Sequence, residues 1–347
     1  MKLSVVGSIV YDEIITADGA RRESFGGITY NIAALSSIVS DDTTIHPVTN
    51  VAADRWDDVL NLLSRYPLVR TDDVARVPGK LTAARLVYTS PTWRDETVLH
   101  MMRPLTPERL TGASDADAVL VNFINGSELD LDAFIGLRRT ARGFLHLDVH
   151  SKVARWDEQG RKSHVGFPDW REWLSRVDAA QMNEFECEQI VGRKLGEEQD
   201  FVRAGAEIVA ASAPIVLITL GPLGSVLVYD RGAQAALRGR AVSGAADCER
   251  RTADHDIYWV ANPAKAVAQV VDTTGCGDSF SAGFLWSYLQ CRDPVKANAA
   301  ANIVAGVNCT VSGIGHLEAA QGALDQIPLA FPDLGAKIMA GWRGERL

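Results

Sequence analysis

Residues 270–284 read VVDTTGCGDSFSAGF, a β-branched start followed by small turn-forming residues and an apolar continuation. Glycines and small polar residues suit a turn whose backbone comes close to another group. If the segment AQVV ends a strand and DSFSAGFLWSYL begins a helix, the amides of Gly275, Cys276 and Gly277 lie at a helix amino terminus, which favours an anion. Asp278 is then placed to take a proton from a hydroxyl beside a bound phosphoryl group. The alternative is an ordinary turn in which Asp278 caps the helix.

The composition is that of a globular chain of 347 residues, 47% hydrophobic and 23% charged, long enough for a large α/β domain. Its formal net charge is -9, with 44 acidic and 35 basic residues. This balance argues against a nucleic-acid partner and against a preference for anionic membranes. Small molecules are therefore the expected partners.

The first residues, MKLSVVGSIVYDEI, enter an apolar run without the basic region and cleavage site of an export signal. Apolar stretches such as APIVLITLG are far shorter than the ~20 residues needed to cross a bilayer. We therefore expect a cytoplasmic protein. The five cysteines are odd in number and show no CxxC spacing, so we expect reduced thiols and neither a disulfide framework nor a structural zinc site.

Short β-branched runs alternate with longer helical patterns along the chain, which is typical of βα units and a mostly parallel sheet. We predict one α/β domain over residues 1–347, with no internal repeat. The predicted strands are KLSVVGSIV, AVLVNFI, GFLHLDV, DAAQMN, APIVLITLG and GSVLVY. The predicted helices are 29–39, 170–176, 184–191, 197–211, 279–290 and 294–310.

Residues 81–102 break this alternation, because two alternating runs flank a Ser-Pro-Thr-Trp-Arg-Asp turn. The pattern predicts a β-hairpin, either a surface excursion or a lid over a site. Since an isolated hairpin with apolar faces needs a partner, we favour the lid. The polar stretch 238–255 predicts a long loop.

The longer string DTTGCGDSFSAGF resembles the second signature of the ribokinase-like (PfkB) carbohydrate kinases, Asp-Thr-x-Gly-Ala-Gly-Asp-x-Phe. Further segments agree in order and spacing over about residues 2–315. GSIVYDEI resembles the first strand and turn, where Asp12 corresponds to an acid that binds acceptor hydroxyls. FGGITYNIAALS resembles a Gly-Gly-x-x-x-Asn segment, giving Gly26, Gly27 and Asn31 as acceptor-binding residues. Alone, each segment is an ordinary turn or helix cap.

Two segments resemble the donor side of the same family. QMNEFECEQIVG resembles the Asn-x-x-Glu motif, so the resemblance implies that Asn183 and Glu186 organise Mg²⁺ and its waters near the nucleotide phosphates. ITLGPLGSVLV resembles a turn that contacts the nucleotide, giving Thr219, Gly221 and Gly224. Without the other motifs, these residues indicate only a solvated helix residue and a β-turn between strands.

The resemblance implies a ribokinase-like α/β fold, with helices on both sheet faces and a small β lid formed by residues 13–25 and 81–103. It also implies ATP-dependent transfer of the γ-phosphoryl group to a sugar-like hydroxyl, with Asp278 as the base, Thr274 near the nucleotide and a homodimer through the lid. Some relatives bind a monovalent cation, here K⁺ at Asp272 and Thr274; Asp272 as a structural turn residue is the alternative. P-loop, GxGxxG, HRD and DFG motifs are absent from the sequence.

The acceptor side departs from the family pattern. Asn122, Asn125, His150 and Trp93 are candidates to line the pocket, and no basic cluster demands a phosphorylated sugar. Within the kinases, the acceptor is therefore a neutral sugar or a nucleoside. A non-catalytic sugar- or nucleotide-binding regulator of the same fold is the alternative from another class. Cys276 stands where the family signature usually has Ala. It is either a small residue that fits the turn or a reactive thiol with a lowered pKa.

Overall fold

The computed structural model describes residues 1–16, 18–88, 94–234 and 255–347. Within these ranges the chain builds a large ten-stranded sheet, a separate four-stranded sheet and a two-stranded hairpin. The strands of the large sheet, in spatial order, are β16 (Glu345–Arg346), β15 (Ile257–Asn262), β14 (Ser225–Asp230), β13 (Ile215–Thr219), β12 (Ala179–Asn183), β9 (Phe144–Asp148), β8 (Ala118–Asn122), β1 (Lys2–Gly7), β4 (Thr44–Ala52) and β5 (Val74–Val77).

The large sheet is parallel from β13 to β5 and antiparallel from β13 to β16. Its strands are apolar on both sides, because buried residues alternate between two clusters on opposite faces. Leu120 belongs to one cluster, whereas its neighbours Val119 and Val121 belong to the other. The predicted mostly parallel α/β fold is confirmed.

Helices cover both faces of the large sheet. The cluster on one face contains residues of α1 (Thr29–Ile38), α2 (Trp56–Leu63), α7 (Cys276–Cys291), α8 (Pro294–Asn308), α9 (Ala323–Ala330) and α10 (Pro332–Met339). The cluster on the other face contains residues of α3 (Leu131–Thr140), α4 (Trp170–Leu174), α5 (Glu184–Val191) and α6 (Glu198–Ala211). Local interactions determine where α8 begins. The Asp293 side chain accepts hydrogen bonds from the amides in the first turn of α8, and Pro294 occupies the first helical position, which proline favours.

The four-stranded sheet, called the small sheet below, has the order β3 (Arg21–Gly27), β2 (Ile9–Ile15), β6 (Ala83–Tyr88) and β7 (Arg94–His100). The antiparallel pairing of β6 with β7 confirms the hairpin predicted from residues 81–102. The turn of this hairpin at 89–93, which includes Trp93, lies outside the described residues. Residues 238–254 of the predicted loop 238–255 also lie outside them. The two-stranded hairpin pairs β10 (Ala154–Trp156) with β11 (Lys162–His164).

The structure corrects several element predictions. The predicted strand KLSVVGSIV is two strands in different sheets, β1 and β2, separated at Ser8. The segment AQVV at residues 268–271 is not a strand; Val270 and Val271 are 57% and 53% exposed, and the Val271 amide instead donates to the Cys309 carbonyl at 2.7 Å. Helix α7 begins at Cys276, three residues before the predicted start. Strands β4, β5 and β15 and helices α2, α3, α9 and α10 were not predicted.

A search of the described residues finds no helix with both the length and the apolarity that a membrane crossing requires.

Candidate active site

A cavity of about 420 Å³ lies between the small sheet and the carboxyl-terminal edge of the large sheet. The small sheet contributes one wall through Val10, Asp12, Ala84, Leu86, Glu96 and Val98. The opposite wall contains the residues 273–278 at the start of α7, together with Asn183 and Glu186. The amino terminus of a late helix therefore faces a strand wall across a space large enough for a small molecule.

The polar residues of this edge occupy equivalent positions on neighbouring parallel strands. Asn122, Asp148, Asn183 and Thr219 are the last residues of β8, β9, β12 and β13. All four lie at the same edge of the sheet, as two paired sets: Asn122 pairs with Asp148 and Asn183 with Thr219, while Asp148 is opposite Gln181, two residues before Asn183. In open α/β sheets, this edge is where ligands bind.

The turn before α7 is built around Gly275, which has a φ of +76°. A Cβ at this position would collide with the Tyr30 ring, so both its conformation and its surroundings require glycine. The Cys276 amide donates to the Thr273 carbonyl at 3.2 Å, whereas the amides of Gly275 and Gly277 donate to no backbone oxygen within the described chain. Two of the three predicted anion-binding amides are thus left for a ligand.

Asp278 lies in the first turn of α7, is 8% exposed and lines the cavity. The Asn122 side-chain amide donates to its carboxylate at 2.7 Å and also to the Asn31 side-chain oxygen at 3.0 Å. Asn31 in turn donates to the Asp278 backbone carbonyl at 2.8 Å. Burial raises the pKa of Asp278 to about 6, and the hydrogen bond from Asn122 opposes that rise.

Asn31 and Asn122, both predicted to bind the acceptor, contact Asp278 in the structure. Each is 0% exposed and neither lines the cavity. Their side chains contact Asp278, one through its carboxylate and one through its backbone. In this structure the two side chains hold Asp278 in place, and their contact with an acceptor stays a prediction.

A second buried carboxyl group, that of Asp148, is connected to the start of α7 by hydrogen bonds. Gln181 donates to Asp148 at 3.0 Å and to the Gly277 carbonyl at 2.9 Å, and Ser281 donates to Asp148 at 2.7 Å. Burial, followed by the charges of Glu186 and Asp278, raises the pKa of Asp148 well above its ordinary value. Hydrogen bonds of Gln181 and Ser281 therefore connect the amino-terminal part of α7 to the edge of the large sheet.

Asn183 and Glu186 form a reciprocal cap at the start of α5. The Glu186 amide donates to the Asn183 side-chain oxygen at 2.8 Å, while the Glu186 carboxylate accepts from the Asn183 amide at 2.8 Å and from its side-chain nitrogen at 2.7 Å. Burial raises the pKa of Glu186 to about 8. The two residues line the cavity together.

The described residues contain no group of three or more His, Cys, Asp or Glu side chains arranged to hold a metal ion. The charges of Glu186 and Asp278 nevertheless lie close enough to Asp148 to raise its pKa, and the charge of Asp278 also raises the pKa of Glu186. Buried carboxyl groups placed together favour a compensating cation. The donor set fits Mg²⁺ held mostly by water and phosphate oxygens, with a single protein carboxylate nearby.

The residues of the predicted nucleotide turn lie farther along the same edge. Thr219 pairs with Asn183 in the β12–β13 register, and Gly221 and Gly224 belong to the short turn between β13 and β14. None of the three lines the 420 Å³ cavity. They extend the row of strand ends beyond Asn183, on the side away from the small sheet.

Asp12 on β2 projects into the cavity, where Gly26 of the paired strand β3 makes room for it. A Cβ on Gly26 would collide with the Asp12 carboxylate, and Gly27 itself lines the cavity. The predicted acceptor-side residues Asp12, Gly26 and Gly27 are thus brought together. Tyr30, the second residue of α1, adds an aromatic face beside them.

Sequence reasoning missed several residues of the cavity wall. Lys162 is the only Lys or Arg among the described lining residues; its ammonium group lies 3.3 Å from both the Glu96 carboxylate and the Ser151 hydroxyl, and 5.2 Å from the Trp156 ring centroid. A single Lys within the polar run DEQGRKSH carries no pattern that identifies it. Asn125 and His150, which were predicted, do line the cavity.

Asp272 and Thr274 lie in the loop that leads into α7. The Asp272 carboxylate accepts from the Thr274 amide at 2.9 Å and from the Gly313 amide at 3.4 Å. The Thr274 carbonyl accepts from the Asn308 side chain at 2.9 Å. The two predicted cation ligands therefore lie beside the 308–315 loop, and Asp272 also has a structural role in the turn.

Cys276 contacts a second cysteine that the sequence gave no reason to pair with it. Its sulfur lies 2.9 Å from the sulfur of Cys309, which follows α8. The hydrogen bond between the thiols raises the pKa of Cys276 and lowers that of Cys309 to about 7. Of the two alternatives for Cys276, the reactive thiol with a lowered pKa is not supported, because the contact with Cys309 and partial burial both raise the pKa of Cys276.

Comparisons with known proteins agree with this geometry. Residues 253–320 match the family model of the pfkB family carbohydrate kinases. The ribokinase of Haemophilus influenzae is 27% identical over 142 residues, a match that spans 41% of this chain and 38% of that protein.

Solved structures match nearly the whole chain. A pyrophosphate-dependent kinase in the ribokinase family matches with a TM-score of 0.68 and 19% identity over 90% of this chain and 96% of that one. Arabidopsis thaliana ribokinase complexed with ribose and ATP matches at 0.67 and 18%, over 96% and 98%. Burkholderia thailandensis nucleoside kinase in complex with inosine matches at 0.67 and 16%, over 96% and 99%.

The fold is that of the ribokinase-like sugar and nucleoside kinases. The resemblance to the PfkB carbohydrate kinases is confirmed, since the matched segment 253–320 contains the whole turn that leads into α7.

Proposed function

We propose that the chain is a kinase that transfers the terminal phosphoryl group of ATP to a hydroxyl of a neutral sugar or sugar-like molecule. One observation carries this proposal: the buried Asp278 carboxylate lies at the cavity wall, directly after the free amides of Gly275 and Gly277. A base and an anion site then come from one turn. A regulator that only binds a ligand needs no carboxylate held in this way.

Asp278 would take the proton from the attacking hydroxyl. Its pKa of about 6 leaves it ionised at neutral pH and still able to accept a proton, and such general-base catalysis contributes roughly 10²- to 10⁴-fold. The amides of Gly275 and Gly277 would stabilise charge on the transferring group, with about 10²- to 10³-fold for each well-placed donor. The small sheet would act as the lid that excludes competing water.

Mg²⁺ would be held through water by Glu186 and Asn183, beside the donor phosphates. When bound, it would neutralise charge on the phosphate oxygens. Asn183 fixes the Glu186 carboxylate through two hydrogen bonds, which orients that group toward the cavity.

ATP is the donor that the sequence motifs favour, because Thr219, Gly221 and Gly224 match the turn that contacts the nucleotide in the PfkB family, and Thr219 pairs with Asn183 at the same edge. The Arabidopsis relative contains ATP, whereas another structural relative is a pyrophosphate-dependent kinase. A test of the function must therefore compare ATP with pyrophosphate as the phosphoryl donor.

The charges around the cavity favour an uncharged acceptor. Four carboxyl groups, those of Asp12, Glu96, Glu186 and Asp278, face it, against the single ammonium group of Lys162. A phosphorylated acceptor would meet net repulsion there. The aromatic side chains of Tyr30, Tyr88 and Trp156 also line the cavity and suit the apolar face of a sugar or a nucleoside base, which makes a nucleoside kinase the second candidate.

We also propose that K⁺ binds at Asp272 and Thr274 beside the 308–315 loop, and that the chain forms a homodimer through the small sheet. A potassium titration of activity at constant ionic strength tests the first proposal. Light scattering of the purified chain tests the second.

The experiment that tests the function is a screen for product formation. The reduced, purified chain is mixed with Mg²⁺ and either ATP or pyrophosphate, and with pentoses, hexoses, sugar acids or nucleosides, and ADP or phosphate release is measured. We expect turnover with ATP and a neutral polyol acceptor. Tight ATP binding without turnover on any acceptor would favour the binding-only alternative.

A further inference from the structure

Two cysteines meet at the anion site. Cys276 lies between the two free amides of the proposed phosphoryl site, and its sulfur is 2.9 Å from that of Cys309. The two residues are 33 positions apart in the chain and lie at adjacent ends of the packed helices α7 and α8. Both are free thiols and partly exposed, and Cys276 lines the cavity.

The remaining described cysteines do not share this arrangement. Cys187 is buried, and Cys291 lies at the far end of α7, where its sulfur contacts the Asp293 carbonyl at 3.5 Å. A close pair that a small oxidant can reach is therefore found among the described cysteines only at the anion site. Cys248 lies outside the described residues.

We propose that Cys276 and Cys309 are a modification site, a dithiol that a peroxide converts reversibly to a disulfide and so lowers phosphoryl transfer. This proposal rests on the proposed function only for its effect on turnover. Formation of the bond itself follows from the position of the two sulfurs.

The chemistry balances with a peroxide as oxidant. One thiol sulfur displaces water from hydrogen peroxide and becomes a sulfenic acid. The second sulfur then attacks that sulfur, the S–S bond forms, and a second water leaves with the remaining thiol proton. Two thiols are oxidised, one peroxide is reduced to two waters, and a dithiol reductant reverses the change by thiol–disulfide exchange.

Formation of the Cys276–Cys309 disulfide would shift the backbone amides of the anion site. A disulfide requires the sulfurs to approach to about 2.05 Å, from the 2.9 Å of the free thiols. Gly275 cannot move freely to accommodate this, because it is packed against Tyr30. The Asn308 side chain contacts the Cys276 sulfur, the Thr274 carbonyl and, through its oxygen, Ser279. A shift of Cys276 therefore moves its neighbouring amides, and misplacement of a catalytic group by about 1 Å can cost about 10²-fold in rate.

The test treats the purified full-length chain with hydrogen peroxide and follows thiols, peptides and turnover in parallel. We expect the loss of two of the five thiols, a peptide that links Cys276 to Cys309, and turnover lowered about tenfold to a hundredfold. Dithiothreitol should restore all three. Cys309→Ser should form no such peptide and keep its own untreated turnover after peroxide, whereas the matched control Cys291→Ser should respond as the wild type does.

A wild-type chain whose other thiols oxidise while no 276–309 peptide forms would overturn the proposal. The same holds if the linked peptide forms without any loss of turnover, or if Cys309→Ser loses turnover to peroxide as fully as the wild type. Peptide mapping does not depend on activity. A chain that is inactive when reduced would therefore remove the proposed function and still leave the disulfide open to measurement.

Discussion

The side-chain amide of Asn122, the last residue of β8, donates a 2.7 Å hydrogen bond to the carboxylate of Asp278 in the first turn of α7. The two residues are 156 positions apart. Both are buried, so the bond forms where little water competes with it. It orients the proposed base and favours the ionised form of its carboxyl group.

Replacing Asn122 should change the pH dependence of the reaction. The wild-type kcat/KM should fall as pH drops through about 6, because Asp278 must be ionised to act as the base. Asn122→Ala removes the hydrogen bond that lowers the pKa of Asp278, so this acid limb should move to higher pH. The measurement is a pH profile of kcat/KM, with Asn61→Ala on the exposed face of α2 as the control. An unchanged limb in Asn122→Ala would contradict the role assigned to Asn122.

A side chain at Gly26 should weaken acceptor binding. Gly26→Ala places a methyl group where the Asp12 carboxylate lies, so that carboxylate must turn away from its present position. We expect the acceptor KM to rise about tenfold, with a smaller change in the KM for the donor. Gly136→Ala, in α3 with open space around it, is the matched control. Equal effects on both KM values would argue that Asp12 does not bind the acceptor.

Neutralising Glu186 should affect the metal dependence most. Glu186→Gln keeps the size of the side chain and an oxygen that can accept from the Asn183 amide, but it removes the buried carboxylate and the second hydrogen bond from Asn183. The Mg²⁺ concentration for half-maximal rate should rise about tenfold or more, while the acceptor KM stays close to the wild-type value. Glu184→Gln, on the same helix and exposed, should behave as the wild type. If the two variants have the same Mg²⁺ dependence, Glu186 is only a helix cap.

The sequence was sufficient for most of the large sheet, because its central strands are continuous apolar runs. It failed where local pattern and tertiary context disagree. Val270 and Val271 have strand-forming side chains, yet they are exposed and their segment pairs with no strand. Strand β4 was missed because TIHPVTNVA contains a proline and scattered polar residues, and only its burial between β1 and β5 makes it a strand.

In the candidate site, too, local patterns could be predicted from the sequence, whereas contacts that depend on the tertiary fold could not. The reciprocal cap of Asn183 and Glu186 is local, with a spacing of three residues, so a sequence motif can identify the pair, and both residues lie in one wall of the cavity. The contact of Asn122 with Asp278 depends on which strand end meets which helix, and the sequence gives no such register. For the same reason the contacts of Asn31 and Asn122 with Asp278, and the nearness of Cys309 to Cys276, were not foreseen.

The most direct test of the central claim is the turnover number of Asp278→Asn, measured with the acceptor and donor identified in the screen. The variant keeps the size of the side chain and should fold and bind nucleotide as the wild type does, as checked by thermal unfolding and equilibrium binding. Because it cannot accept the proton, we predict that kcat falls by roughly 10²- to 10⁴-fold. A kcat within about twofold of the wild type would contradict the assignment of Asp278 as the base.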